Sequence, residues 1–204
     1  MTTTIAIIAN GEIRNPIILK KLLSSYSKII AADGGANNCR ILDIEPDIIV
    51  GDLDSITPDT SQFFIHVPRK QYPCDKDHTD LELALKEAEG ADKIALFCAT
   101  GSRVDHSLTN LYILSQYPQR LMIVTEEETV FAVDRSVIVE TLPGKTISLI
   151  PIGGSVKGVF TKGLKWELDN ATLNNHFVSI SNVSLGEQVT IELASGILLC
   201  CLHR

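Results

Sequence analysis

Short apolar runs recur along the first 125 residues, and a polar stretch, in most cases one carrying glycine, follows each in turn. Thr4–Ala9, Lys28–Ala32, Asp47–Val50, Lys93–Ala99 and Arg120–Thr125 have the length and composition of buried strands. Between them, Pro16–Tyr26, Thr79–Glu89 and Asp105–Tyr117 carry helical spacing, with Pro16 suited to a first helical position. Alternation of this kind predicts a mainly parallel sheet with crossover helices. After Thr125 the texture changes. Thr129–Val133, Val137–Thr141, Thr146–Pro151, Ser155–Thr161, Phe177–Val183, Gln188–Leu193 and Gly196–Leu202 are short and strand-like, punctuated by Gly, Pro and Asn, with no long helical period. The expected architecture is α/β: a Rossmann-like, mainly parallel sheet domain over residues 1–125, then an all-β sandwich domain over residues 126–204.

In open α/β sheets ligands bind beyond the carboxyl ends of the strands, so the residues that follow each apolar run are the first candidates. They are Gly11-Glu12, "DGGAN" (Asp33–Asn37), "GDLDS" (Gly51–Ser55) and "TGSRVDH" (Thr100–His106). Polar groups thus gather at one predicted sheet edge. In an extended segment Asp52 and Asp54 point the same way, and two carboxylates facing one point suit a hard cation such as Mg²⁺. The plainer alternative is an Asp-rich turn in which Asp54 or Ser55 caps the next helix. In "CDKDHTDLELALKEAE" (Cys74–Glu89), Thr79 and Glu82 form a capping-box pattern, while Asp75, Asp77 and Asp80 precede or open the helix and Lys76 is a candidate phosphate contact. Arg103 stands just before a helix, where it either meets phosphate or pairs with Asp105. His106 and Asn110 are four apart and share a helix face. Gly34 and Gly35 permit close backbone approach at a helix start. In the β part, Trp166 is the only tryptophan and has Lys165, Glu167 and Asp169 around it; it is either core or a flat stacking face.

Composition narrows the field. The chain has 204 residues, 45% hydrophobic and 21% charged, as in ordinary globular proteins. A net charge of −7 without a basic run argues against nucleic acid as a partner, and implies a cation between the chain and any anionic ligand. The start, MTTTIAIIAN, lacks the basic region and long apolar stretch of a signal peptide, and no apolar run reaches membrane-spanning length. Five cysteines, odd in number and without CxxC spacing, read as reduced thiols in a cytoplasmic protein. "PGKT" (Pro143–Thr146) has Val139 where a P-loop needs its first glycine, and is read as a hairpin turn. There is neither a GxGxxG fingerprint nor a GxSxG elbow.

Taken in order, "DGGAN", "GDLDS", "DKDHTD", "GSRVDH" with Asn110 downstream, "GLKW" and "SISN" resemble the thiamine pyrophosphokinase family, over roughly Asn10 to the C-terminus. The resemblance implies transfer of a pyrophosphoryl group from ATP to the hydroxyl of thiamine, giving thiamine diphosphate and AMP, with Mg²⁺ required. It implies a homodimer whose site lies between the α/β domain of one subunit and the β domain of the other. It implies that Asp52, Asp54 and Asp80 hold Mg²⁺ and phosphates, and that Arg103 and Asp105 line the phosphate and thiamine region. On the nucleotide side it implies Asp33, Gly34, Gly35, Asn37, Lys76, Asp77, His78, Thr79, Arg103, His106 and Asn110. For thiamine it implies Asp80, Asp105, stacking on Trp166, and hydrogen bonds from Ser181 and Asn182. Asp54 and Asp80 are the candidate proton acceptors. The family often has a bulky aromatic in its last strand, where this chain has "GILLCC". Two other readings stand beside it: a related pyrophosphokinase acting on another alcohol such as a pterin, and a non-catalytic binder of thiamine or nucleotide.

Overall fold

A computed structural model describes residues 2–75, 77–101 and 103–204. The chain divides into two compact units: Met1–Asn110 with Val124–Glu126, and Leu111–Ile123 with Glu127–Arg204.

The first unit is built on five parallel strands, β1 (Thr4–Ile8), β2 (Lys28–Ala32), β3 (Ile48–Gly51), β4 (Arg69–Gln71) and β5 (Lys93–Phe97), in the order β5-β1-β2-β3-β4. Ile7, Ile8, Ile30, Ile49, Leu96 and Phe97 are fully buried. Near-continuous burial along each central strand is what helices on both faces of a parallel sheet require. The helices are α1 (Pro16–Leu23), α2 (Gly35–Ile41), α3 (Pro58–Phe63) and α4 (Asp80–Glu87), with the first two turns of α5 (Val104–Leu114). The predicted α1 ran to Tyr26 but stops at Leu23, because the Ser24 and Ser25 hydroxyls donate back to the carbonyls of Lys21 and Leu22. Three elements escaped the periodicity. α2 (GANNCRI) has no apolar stripe, α3 is only six residues long, and all three residues of β4 are exposed.

The second unit holds β6 (Leu121–Val124), β7 (Glu128–Val133), β8 (Val137–Glu140), β9 (Thr146–Pro151), β10 (Val156–Lys162), β11 (Ala171–Leu173), β12 (Ser179–Val183), β13 (Gln188–Glu192) and β14 (Leu198–His203). Five strands run in the order β12-β9-β14-β7-β6 and four in the order β11-β10-β13-β8, and the pairings from β12 to β7 and from β11 to β8 are antiparallel. Val133, Ile147, Leu149, Leu198 and Cys200 from the first sheet share one core with Val139, Val156, Val159, Leu173, Val189 and Ile191 from the second. That is the expected β sandwich. Cys200, in the "GILLCC" strand, is fully buried there. Pro143 and Gly144 form a turn, with Gly144 at φ +86, but not the hairpin read from "PGKT": it joins β8 to β9, which belong to different sheets and do not pair. Among the described residues no helix is long and apolar enough to cross a membrane.

Candidate active site

Three of the strand ends in the first unit carry a non-glycine residue, or place one soon after them, in the left-handed region: Asp33 after β2 (φ 44), Leu53 after β3 (φ 69) and Cys98 after β5 (φ 52). Such backbone costs on the order of 1–3 kcal/mol per residue and persists where surrounding structure over-determines it. Asp33 is fixed by its own N–H, which donates to the Val50 carbonyl at 2.8 Å. Because β2 and β3 are neighbours, the loops that leave them run side by side.

The consequence is a convergence of carboxylates. Oxygens of Asp33, Asp52 and Asp80 lie within 4.8 Å of one another. Asp80 reaches the cluster from the first turn of α4, whose start is set by a capping box: Thr79 N–H donates to Glu82 at 2.8 Å and Glu82 N–H to the Thr79 hydroxyl at 3.3 Å. Asp33 is 6% exposed, and its Oδ1 has no hydrogen-bond partner among the described residues. Its pKa is raised, chiefly by burial and further by Asp80 and Asp52, against the lowering effect of Ser55 and of the Gly34 N–H. A buried oxygen without a partner, ringed by like charge, fits a hard cation supplied from solution.

Asp52 belongs to a second group as well, with Asp54 and the Cys74 thiol within 4.8 Å. Asp52 and Asp54 do meet, but not through the pleat of an extended strand. The left-handed Leu53 folds the chain, and the Asp54 N–H approaches Asp52 Oδ1 at 3.4 Å. Neither Asp54 nor Ser55 caps α3: the cap is Thr57, whose hydroxyl accepts from Thr60 N–H. Gly51, at φ +151, has no room for a side chain, since a Cβ there would lie 2.8 Å from the Asp33 Cβ and 3.0 Å from Asp80 Oδ1.

Other candidates are engaged locally. Arg103 and Asp105 form a two-pronged pair at 2.9 and 2.6 Å, and the guanidinium holds the Asp105 carboxyl well below the usual range. This is the ion pair that spacing alone allowed. Asn110 donates to the Ala99 carbonyl at 2.7 Å, Asn37 bonds to Ser55 and Thr57, and Thr79 is occupied by its cap. Gly34 and Gly35 are needed for chain packing: added Cβ atoms would lie 2.3 Å from the Asn10 amide and 1.9 Å from the Ile8 carbonyl. Asp77, His78 and His106 are exposed, and Lys76 lies outside the described residues. In the second unit Trp166 is 56% exposed, with the Lys165 Nζ 4.6 Å from its ring centroid. Asn182 is buried and grips the Trp166 backbone at both ends. Its Nδ2 donates to the Trp166 carbonyl at 2.7 Å and its Oδ1 accepts from the Trp166 N–H at 3.1 Å. Ser181 is exposed and left-handed (φ 56), with its N–H donating to the Ser148 hydroxyl at 3.0 Å.

The chain matches two family models, "Thiamin pyrophosphokinase, catalytic domain" over residues 19–125 and "Thiamin pyrophosphokinase, vitamin B1 binding domain" over residues 129–198. It belongs to the thiamin pyrophosphokinase family. It is 30% identical to thiamine pyrophosphokinase 1 of Arabidopsis thaliana over 213 residues, covering 87% of this chain and 79% of that one. It is 29% identical to thiamine pyrophosphokinase of Bacillus subtilis, with 96% of each chain covered. The crystal structure of the Bacillus subtilis family member superposes with a TM-score of 0.86, at 25% identity over 98% of this chain and 99% of that one. The yeast thiamin pyrophosphokinase shares the fold at 18% identity, with a TM-score of 0.82 over 100% of this chain and 87% of that one.

Two members of the carboxylate site had a weak signal in the sequence. The resemblance groups Asp33 with the nucleotide residues, although it follows β2 much as Asp52 follows β3. Cys74 carried no motif. It is the one exposed cysteine of the five, while burial raises the thiol pKa of Cys98 to about 12 and of Cys201 to about 11, and raises those of Cys39 and Cys200 also. At pH 8 a disulfide reagent is therefore expected to modify one thiol per native chain rapidly, with Cys74→Ser abolishing that phase. A second rapid thiol in the variant would contradict it.

Proposed function

We propose that the protein moves the pyrophosphoryl group of ATP to the hydroxyethyl oxygen of thiamine, with Mg²⁺, releasing thiamine diphosphate and AMP. Family membership carries the enzyme class, thiamine diphosphokinase. The donor and the metal rest on the site, and one observation supports them most: three carboxylates beyond adjacent parallel strands, one of them buried with an unpartnered oxygen.

In this reading Asp33, Asp52 and Asp80 hold the ion, with Asp54 at its exposed side. When bound, Mg²⁺ neutralises phosphate charge and fixes the nucleotide's orientation. Arg103 exchanges one prong of its Asp105 pair for a phosphate oxygen. Asp77, His78 and His106 flank the nucleotide. The thiamine oxygen attacks the β-phosphorus, the bond from that phosphorus to the α–β bridging oxygen breaks, and AMP leaves. The hydroxyl proton passes to Asp54 or Asp80. Most of the rate gain comes from positioning and charge compensation, as in phosphoryl transfer generally. The cationic thiazolium ring suits an acidic site.

Incubation with thiamine, ATP and Mg²⁺ is expected to yield thiamine diphosphate and AMP in equal amounts, and EDTA to stop the reaction. ADP as the product, or a pterin accepted in preference to thiamine, would overturn the reading. Trp166, held by Asn182, stacks on the aminopyrimidine ring. Trp166→Ala is expected to raise the thiamine KM about threefold to tenfold, the worth of one aromatic contact, and Trp166→Phe to restore most of it. An unchanged KM in Trp166→Ala would remove Trp166 from the thiamine site. We take the working form to be a homodimer with two shared sites. Mixing Asp52→Asn with Trp166→Ala protein then yields heterodimers with one unaltered site, so turnover with the wild-type thiamine KM returns, which neither variant shows alone. The reducing cytoplasm is the compartment that five free thiols suit.

A further inference from the structure

Asn37 and Asn38 are adjacent on α2, yet their side chains serve different loops. Asn38 is buried, and its Nδ2 donates to the carbonyls of Ala9 and Gly11 at 2.8 and 2.9 Å. It thereby ties down the loop after β1. Asn37 turns to the loop after β3. Its Nδ2 donates to the Ser55 carbonyl at 2.9 Å. Its Oδ1 accepts from the Thr57 N–H at 3.1 Å and from the Thr57 hydroxyl at 3.2 Å. Both ends of one amide are thus engaged on the segment that leaves Asp52 and Asp54.

That segment needs holding. Leu53 is left-handed without being glycine, and Asp52 and Asp54 stand close together with like charge. Without an external grip, the loop relaxes by moving the carboxylates apart and returning Leu53 to an ordinary backbone region. The far end of the grip is itself braced, because the Thr57 hydroxyl lies 2.9 Å from the Thr60 hydroxyl and Thr60 is buried in α3.

The geometry points to Asn37 as a positioning residue that sets the affinity of the Asp33–Asp52–Asp80 site for its divalent cation by clamping the acidic loop, without touching nucleotide. This rests on the metal reading given under Proposed function. Residues that orient metal ligands from behind typically change metal affinity by about 10–100-fold when removed.

The test is a titration of Mn²⁺ alone, followed by the EPR signal of the free ion, on wild-type, Asn37→Ala and Asp52→Asn proteins. Alongside it, the Mg²⁺ half-saturation of thiamine diphosphate formation is measured. Asn37→Ala is expected to weaken Mn²⁺ binding and raise the Mg²⁺ half-saturation by roughly tenfold or more. The rise in Mg²⁺ half-saturation is expected to track the loss of Mn²⁺ affinity across the variants, since both report the same loop. Thr57→Val removes one of the three bonds to Asn37, together with the α3 cap, and shifts both readouts in the same direction, while Thr57→Ser keeps the hydroxyl and restores them. This pair carries the test if Asn37→Ala fails to fold. Unchanged Mn²⁺ affinity in Asn37→Ala and Thr57→Val overturns the inference. A raised ATP KM with unchanged Mn²⁺ affinity also overturns it, and makes Asn37 a nucleotide contact. Absence of Mn²⁺ binding in the wild-type protein defeats the metal reading itself, a result that does not depend on the variants.

Discussion

Asp52→Asn is expected to lower kcat/KM for thiamine diphosphate formation about a thousandfold while leaving the fold intact. Asp52 is shared by both acidic groups, so its loss removes charge from each at once. An ion on a phosphoryl group is worth several kcal/mol, and each 1.36 kcal/mol is a factor of ten in rate. Asparagine keeps the shape and the acceptor oxygen, which isolates the charge. The effect on stability has the opposite sign. Three crowded carboxylates repel one another, and Asp33 already has a raised pKa to which Asp52 contributes. In metal-free buffer the variant should therefore melt at the wild-type temperature or slightly above it. Turnover with Asp52→Asn within tenfold of wild type would sink the assignment of Asp52 as a ligand. Lost turnover together with a large fall in melting temperature would make Asp52 a structural residue instead.

The largest stability effect is expected at Gly35. A Cβ there would lie 1.9 Å from the Ile8 carbonyl oxygen and 2.8 Å from its carbon. Ile8 cannot give way cheaply. It is fully buried, and β1 is a central strand with Ile8 in register with Ala31 on one side and Phe97 on the other. Relief has to come from shifting α2, which also carries Asn37 and Asn38 and their grip on two loops. Gly35→Ala is expected to cost about 3 kcal/mol, the upper part of the overpacking range. For a chain of this size that corresponds to a fall in melting temperature of roughly 6–12 °C. Gly90→Ala is the control. Nothing lies within 4 Å of a Cβ at Gly90, so that variant should melt with wild type or slightly above. Differential scanning calorimetry of the two variants decides the matter, and equal melting temperatures would refute the packing argument.

Apart from the three-residue β4 and β11, the strands of the parallel sheet and of the sandwich were legible along the chain because burial imposes periodicity. β13 (Gln188–Glu192) alternates buried and less buried positions in sequence order, and β1, β2 and β5 are continuous apolar runs. The capping box at Thr79 and Glu82 was legible for the same reason, since all its partners lie within one turn. α2 and β4 were not, because neither has an apolar face and each is held by its neighbours.

At the site the division falls between residue type and partner. Aspartates and an arginine at loop positions offered candidates for metal and phosphate, and the order of the motifs identified the family. Which groups meet depended on the tertiary structure. Asp33 joins Asp52 only because β2 lies beside β3, a pairing between segments far apart in sequence that no local pattern encodes. The amides of Asn37, Asn110 and Asn182 look alike as sequence, yet each is committed to a backbone group elsewhere in the chain. An amide donates and accepts equally well to ligand, water or main chain, and only the position of a competing partner decides among them.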